Sequence, residues 1–506
     1  MLSRAKQRIS KINFKIMIEL IEKVKNREIL KKTAKIFKEK GIILPTFAQM
    51  KNPELIPGEI KSALKKIGLQ ELHPLNLFRI TWKNEPKEKG GLYGGVNYLE
   101  IPKVLTGVDA KIILLLGKWF PTGAHKVGAA YGCLVPRLIT GEFDPSNNKA
   151  VWPSTGNYCR GGAFDSYLMG CKAVAILPKE MSRERFDWLK KIGAEVIATP
   201  GCESNVKEIY DKCWEIKKTK KDFIIFNQFE EFGNPCWHYH VTGSAIEEVF
   251  SLVTHLRMGN GNSSNLSAFI SNTGSAGTIA AGDYLKTKFP GMKVVASEAL
   301  QCPTLLMNGF GGHRIEGIGD KHIPWVHNVK NTDVVTAIDD EDCMRIFRLF
   351  NEDTGKKYLK GEGLDKEFIN KLEIIGISGI ANILSAIKTA KYYEMNSDDV
   401  IVTIATDSSA LYKSRLKELK SERGAYTEKQ AVKDFEKCLL GQKTDYLKEL
   451  NYNDRKAIHN LKYFTWVEQQ GRSIEDLNQL WYDNTIWDKI FHQVEKWDEM
   501  IMEFNS

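Results

Sequence analysis

The chain of 506 residues has no C-x-x-C pair, no apolar run long enough to span a bilayer, and no repeat or low-complexity tract. Its nine cysteines, Cys133, Cys159, Cys171, Cys202, Cys213, Cys236, Cys302, Cys343 and Cys438, are odd in number and scattered. That excludes a disulfide scaffold and a structural zinc site, and predicts reduced thiols in a cytoplasmic protein. His238 and His240, in Trp237-His-Tyr-His240, have no cysteine or carboxylate partner at metal-site spacing, so no metal is expected. The basic N-terminus has no apolar h-region and carries Glu19 and Glu22, so secretion is not expected either. Nor does the body of the chain carry net charge. Residues 1–40 hold 13 Lys or Arg and 4 Glu, which accounts for the whole formal charge of +9. Any attraction to a polyanion would act through that segment, and no nucleic-acid partner is expected. There Ile9, Ile12, Ile16, Leu20 and Val24 recur at helical intervals, which reads as a packed surface helix with a solvated lysine face.

What is present is an alternation. The apolar runs Ile112–Leu116, Ala150–Trp152, Ala173–Leu177, Glu195–Ala198, Phe223–Asn227, Leu266–Ile270, Val294–Ser297, Glu373–Gly376 and Val400–Ala405 read as strands. Helical stretches lie between them, among them Ser182–Ile192, Val206–Lys217, Gly243–Leu256 and Ile383–Tyr393. Such a pattern predicts an α/β protein with parallel-type twisted sheets, covered on both faces, whose ligands bind beyond the carboxyl ends of the strands. Three regions are expected. These are a helical basic extension over 1–94, a two-lobed core over 95–412 whose smaller lobe spans roughly 140–250, and a helical, tryptophan-rich extension over 413–506. Trp466, Trp481, Trp487 and Trp497 must dock on the core or on a second subunit.

Three turns carry chemistry. After the strand at Ile112–Leu116, Pro121 and Gly123 force a turn that delivers His125 and Lys126 at the start of a helix. After Val151 comes Ser154-Thr-Gly-Asn157-Tyr-Cys-Arg160, either an anion-binding helix start or an ordinary capped turn. After Ile270 comes Gly274-Ser-Ala-Gly277-Thr278, whose small residues suit close backbone approach to a phosphate or tight packing under a helix. It matches neither the dinucleotide fingerprint nor the nucleoside-triphosphate loop.

Several separated segments together resemble one family. The segments around Pro178–Arg185 and Leu189–Gly201, Gly277-Thr-Ile, Val294–Glu298 and Gly312–Pro324 are similar to cysteine synthases, in order and spacing. Thr122-Gly-Ala-His125-Lys126 resembles the lysine segment of the tryptophan synthase β subunit. Both belong to the fold-type II enzymes dependent on pyridoxal 5′-phosphate. The resemblance implies that Lys126 forms the internal aldimine with that cofactor and that Asn157 bonds its 3′-oxygen. Gly274, Ser275, Ala276, Gly277 and Thr278 would hold the phosphate, and Ser154, Thr155 and Gly156 the substrate carboxylate, with Gly317 in the later Gly-Ile-Gly loop. Ser408 would face the pyridine nitrogen, or Asp407 after a one-residue shift. His125 either contacts the phosphate or is a satisfied core histidine. Arg160 departs from the pattern; it would clamp a second acid group on the substrate, or else face solvent or cap a neighbouring loop. The implied activity is β-replacement on an activated amino acid, such as an O-substituted serine attacked by sulfide or another nucleophile. Alternatives are β-elimination by an ammonia-lyase or desulfhydrase, and a regulatory subunit that keeps the fold without turnover. A homodimer with a small amino-acid substrate and no membrane span is expected.

Overall fold

A computed structural model describes residues 18–154, 156–201, 206–255 and 264–506. Two sheets carry the chain. The larger runs in the order β1 (Tyr98–Ile101), β2 (Lys111–Leu116), β10 (Asp399–Ala405), β7 (Asn265–Asn272), β8 (Lys293–Ala299), β9 (Val334–Ile338), β11 (Leu447–Glu449). Its five inner strands are parallel, and β1 and β11 close the two edges antiparallel. The smaller sheet, β5 (Glu195–Thr199), β4 (Lys172–Pro178), β3 (Lys149–Pro153), β6 (Phe223–Ile225), is wholly parallel. Strands such as Ile112–Leu115 and Val400–Val402 are completely buried, which explains why they read as continuous apolar runs rather than alternations.

The helix Lys126–Ile139 is buried over most of its circumference, as a helix threaded through a core should be. It meets the helix Asn157–Leu168 so closely that a Cβ on Gly161 would lie 2.7 Å from the Cα of Val127. Only glycine lets these two backbones touch, and the contact brings the first residues of both helices to one place.

The expected strand at Glu373–Gly376 is a correction. Leu372–Ile374 forms a 3-10 turn feeding the helix Ile377–Tyr392, and its apolar residues are the buried entry to that helix. In exchange, β1, β9 and β11 are strands that the sequence pattern did not announce. The N-terminal helix is corrected as well. Leu20 and Val24 lie in irregular backbone, the first described helix is Arg27–Glu39, and Ile9, Ile12 and Ile16 fall outside the described residues.

The tryptophan-rich extension docks on its own chain. Trp466 is fully buried and donates to the Ile323 carbonyl at 2.8 Å, while Lys462 Nζ donates to the carbonyls of Trp325 and His327, each at 2.8 Å. The last helix, Ile486–Asn505, also closes on the first segments of the chain. Trp497 donates to the Ile21 carbonyl at 2.6 Å, and Asp498 accepts from the N–H groups of Phe47 and Ala48 at 2.6 and 2.9 Å.

Candidate active site

Every turn singled out from the sequence lies at a carboxyl end of a parallel strand: Lys126 after β2, Ser154–Asn157 after β3, Gly274–Thr278 after β7 and Thr406–Ser408 after β10. The two sheets present these ends to one cleft, as open α/β sheets do. It is lined by Lys126, Ser154, Asn157, Ser275, Asp320 and Thr406, together with Tyr158, Gln228, Phe229, Gly274, Gly317 and Ile318.

Lys126 is the first residue of its helix and is partly buried, with Nζ donating to Ser275 Oγ at 3.0 Å. Burial pushes its amine down to about 8, against the opposing pull of Asp320 and Cys133. Ser275 is held from the other side by Asn234 Nδ2 at 3.1 Å, which also donates to the Gln228 carbonyl at 2.8 Å.

The glycine loop precedes the helix Ala280–Lys288, and Ala276 is held there at φ 56°, a left-handed conformation that a non-glycine residue keeps only when its surroundings enforce it. Among the described residues, the N–H groups of Gly274, Ser275, Ala276, Gly277 and Thr278 have no acceptor in the protein. Consecutive backbone donors left open beside a helix N-terminus form a cradle for an anion. Gly277 is obligatory, because a Cβ there would sit 1.9 Å from Asn234 Oδ1.

Asn157 opens its helix with Nδ2 donating to Asp407 Oδ2 at 2.6 Å. Tyr412 donates to the same oxygen at 2.7 Å, and Arg185 bonds the Tyr412 hydroxyl at 3.1 Å while pairing with Glu316 at 3.3 Å. Burial raises the Asp407 carboxyl, and Arg185, the Tyr412 and Asn157 bonds and Arg160 oppose that rise. Ser154 Oγ accepts from Gln228 Nε2 at 3.1 Å, and Thr155 lies outside the described residues.

The cleft thus gathers Lys126, Ser154, Asn157, Gly274, Ser275 and Gly317. Ala276, Gly277 and Thr278 continue the cradle, and Gly156 stands at the helix start beside Arg185, where a Cβ would lie 2.2 Å from the guanidinium. His125 packs against Trp82 and His238, ring centroids 5.4 and 5.0 Å away, with Nε2 3.3 Å from Thr406 Oγ1. It is a core histidine whose pKa burial drives well down. Arg160 is buried as well, donating to the Thr122 carbonyl at 2.8 Å and lying 4.8 Å over Trp188, so it caps a neighbouring loop. Of the segment after β10, Thr406 lines the cleft and Ser408 is buried. Sequence reasoning missed Gln228, Phe229, Asp320 and Thr406. Asp320 was visible as the acid closing Gly317-Ile-Gly-Asp320, but nothing in the pattern showed that it would face Lys126.

The family of pyridoxal-phosphate dependent enzymes matches residues 92–356. A cysteine synthase of Staphylococcus aureus is 28% identical over 324 residues, 64% of this chain and 94% of its own length. A cystathionine beta-synthase of Saccharomyces cerevisiae is 26% identical over 322 residues, 62% of this chain and 59% of its own. Among solved structures, a hydrogen sulfide-producing enzyme from Fusobacterium nucleatum aligns with a TM-score of 0.51 at 26% identity, covering 63% of this chain and 97% of that one. One stretch of similarity takes in the lysine, both anion-binding turns and the strands that position them, and so this chain belongs to the pyridoxal-phosphate dependent enzymes, in the fold-type II group that includes the cysteine synthases, with pyridoxal 5′-phosphate as its cofactor.

Proposed function

We propose that the protein catalyses β-replacement on an amino acid bearing a leaving group on Cβ, an O-substituted serine in the first instance. The observation that carries this reading is the amine of Lys126, partly buried in the cleft and bonded to Ser275 at the edge of a run of unpartnered N–H groups. The donor set fits the cofactor. Gly274–Thr278 suit its phosphate, Lys126 its aldehyde carbon, and Asn157 its 3′-oxygen. Ser154, Thr155 and Gly156 suit the substrate carboxylate, with Gly317 on the facing wall. A hydroxyl after β10, from Thr406 or Ser408, suits the ring nitrogen, since Asp407 is engaged by Asn157 and Tyr412. Bound there, pyridoxal phosphate supplies an electron sink for bonds broken at Cα and Cβ. Lys126 Nζ, with its pKa lowered to about 8, is the base that takes the Cα proton and later returns it.

The relatives named cysteine synthase and cystathionine beta-synthase support replacement. The neighbour named for hydrogen sulfide production supports elimination as the outcome when no nucleophile arrives. Among the described residues eight cysteines are free and buried, which suits a reducing cytoplasm. A homodimer is the working assembly, to be checked by light scattering.

The test is borohydride reduction of protein loaded with cofactor, followed by peptide mapping and a screen of O-acetylserine with hydrosulfide and with thiols. The expected result is a label on Lys126, absent from Lys126→Ala, and a Cβ-substituted amino acid as product. A label elsewhere, or only keto acid from every amino acid tried, overturns the reading.

A further inference from the structure

Asp320 is a buried carboxylate that points into the cleft and is left without a donor. Neither of its oxygens accepts a hydrogen bond among the described residues, and Oδ2 is fully shielded from solvent. Native proteins rarely leave a buried carboxylate so, because an unpaired charge held away from water is costly. Its position is fixed from outside the cleft: Gly319 N–H donates to the Thr273 carbonyl at 2.9 Å, and Thr304 Oγ1 donates to the Asp320 carbonyl at 2.8 Å. It is not simply the counter-ion of Lys126, whose amine is bonded to Ser275 instead.

Resting on the β-replacement reading, we propose that Asp320 is the acid–base group of the Cβ chemistry and that the nucleophile is a neutral X–H molecule, a thiol or water, rather than the hydrosulfide ion. An anion needs no base and would be repelled by a carboxylate lining its path; a neutral nucleophile needs one. The proton balance closes. As the Cβ–leaving-group bond breaks, the departing atom takes a proton from the Asp320 carboxyl. As the Cβ–X bond forms, Asp320 takes the proton of X–H. Lys126 holds the Cα proton between the two events and returns it. The net change is exchange of one Cβ substituent for another, with no oxidant or reductant.

The carboxyl is poised for this. Burial raises it to about 7, with Lys126 pulling the other way. The remaining ionisable groups facing it are Tyr210 from the helix Val206–Thr219 and Cys302 from the turn after β8. Both are raised by burial and stay uncharged near neutral pH, so Lys126 is the one charge opposite Asp320 among them.

The experiment compares the wild-type holoenzyme with Asp320→Asn, using O-acetylserine as donor and either hydrosulfide or 2-mercaptoethanol as nucleophile. Asp320→Asn should lower kcat with 2-mercaptoethanol by about 100-fold or more, the usual worth of a general base, and by at least tenfold more than with hydrosulfide. The limb of the wild-type pH–rate profile that rises through neutrality should vanish. Independently of turnover, infrared difference spectra should show a carboxyl band titrating near neutral pH in the wild type and missing from the variant. Equal losses with both nucleophiles, no loss, or no such band would overturn the role of Asp320 while leaving β-replacement intact. A wild-type enzyme with the cofactor fixed on Lys126 but inert to every donor would remove both together.

Discussion

Adding a single methyl group at Gly277 tests whether the glycine loop holds the cofactor's phosphate. In Gly277→Ala the new Cβ lies 1.9 Å from Asn234 Oδ1, so Asn234 must swing away. Overpacking of this kind costs about 1–3 kcal/mol. The swing also gives up the Asn234 bonds to the Gln228 carbonyl and to Ser275 Oγ, each worth about 1 kcal/mol. Ser275 in turn loses its hold on the Lys126 amine. Allowing for overlap, about 2–4 kcal/mol is lost from cofactor binding, or about 30- to 700-fold in Kd at one decade per 1.4 kcal/mol. The assay is spectral titration of the cofactor-free protein with pyridoxal phosphate and with pyridoxal, alongside thermal unfolding of the same samples. The preference for the phosphorylated form should collapse by most of that factor. Gly291→Ala, where a Cβ meets nothing within 4 Å, is the control and should change neither measurement. If Gly277→Ala kept the wild-type preference for the phosphate, the cradle would be merely a packed turn.

Two further outcomes follow from burial. The unfolded Lys126 amine holds its proton to about pH 10.4, whereas the folded one releases it at about 8. Between those values the unfolded state binds more protons, so the penalty for burying the charged amine is present below pH 8 and disappears as pH rises through that window. Relative to Lys126→Met, urea unfolding of the cofactor-free wild type should gain up to about 3 kcal/mol from pH 7.5 to 10.5; a flat difference would contradict the burial. Trp466→Ala leaves the Ile323 carbonyl without its donor and empties a fully buried site, so stability should fall by about 3–5 kcal/mol in the same assay. Because Ile323 is three residues past Asp320, cofactor affinity should fall with it.

Much of the cleft was legible because its markers are local. Ile112–Leu116 is too short and too apolar for anything but a buried strand, and Pro121 with Gly123 dictates a turn, so the placing of Lys126 follows from neighbours in sequence. The glycine loop is legible for the same reason. Other features depend on what packs against them. Leu372–Ile375 has the composition of a strand and becomes a helix entry only because its apolar side chains are covered there. Val334–Ile338 is a wholly buried strand of only five residues, and its flanks, Asn331-Thr-Asp333 and Asp339-Asp340, suit a loop and a helix cap as well as the ends of a strand. Asp320 and Thr406 acquire meaning only when loops after β8 and β10 converge on Lys126, across gaps of nearly two hundred residues and more. Arg160 and His125 are the reverse case: suggestive in sequence, and found bonded to Thr122 and Thr406 once the fold is closed.

The seam formed by Trp497 and Asp498 against Ile21, Phe47 and Ala48 sets an order for biosynthesis. Residues 18–48 emerge from the ribosome more than four hundred residues before the helix that covers them. Part of their surface packs early, Phe47 against Tyr131 and Asn26 against Thr140, but the face that meets Trp497 and Asp498 stays open until the helix Ile486–Asn505 has been made.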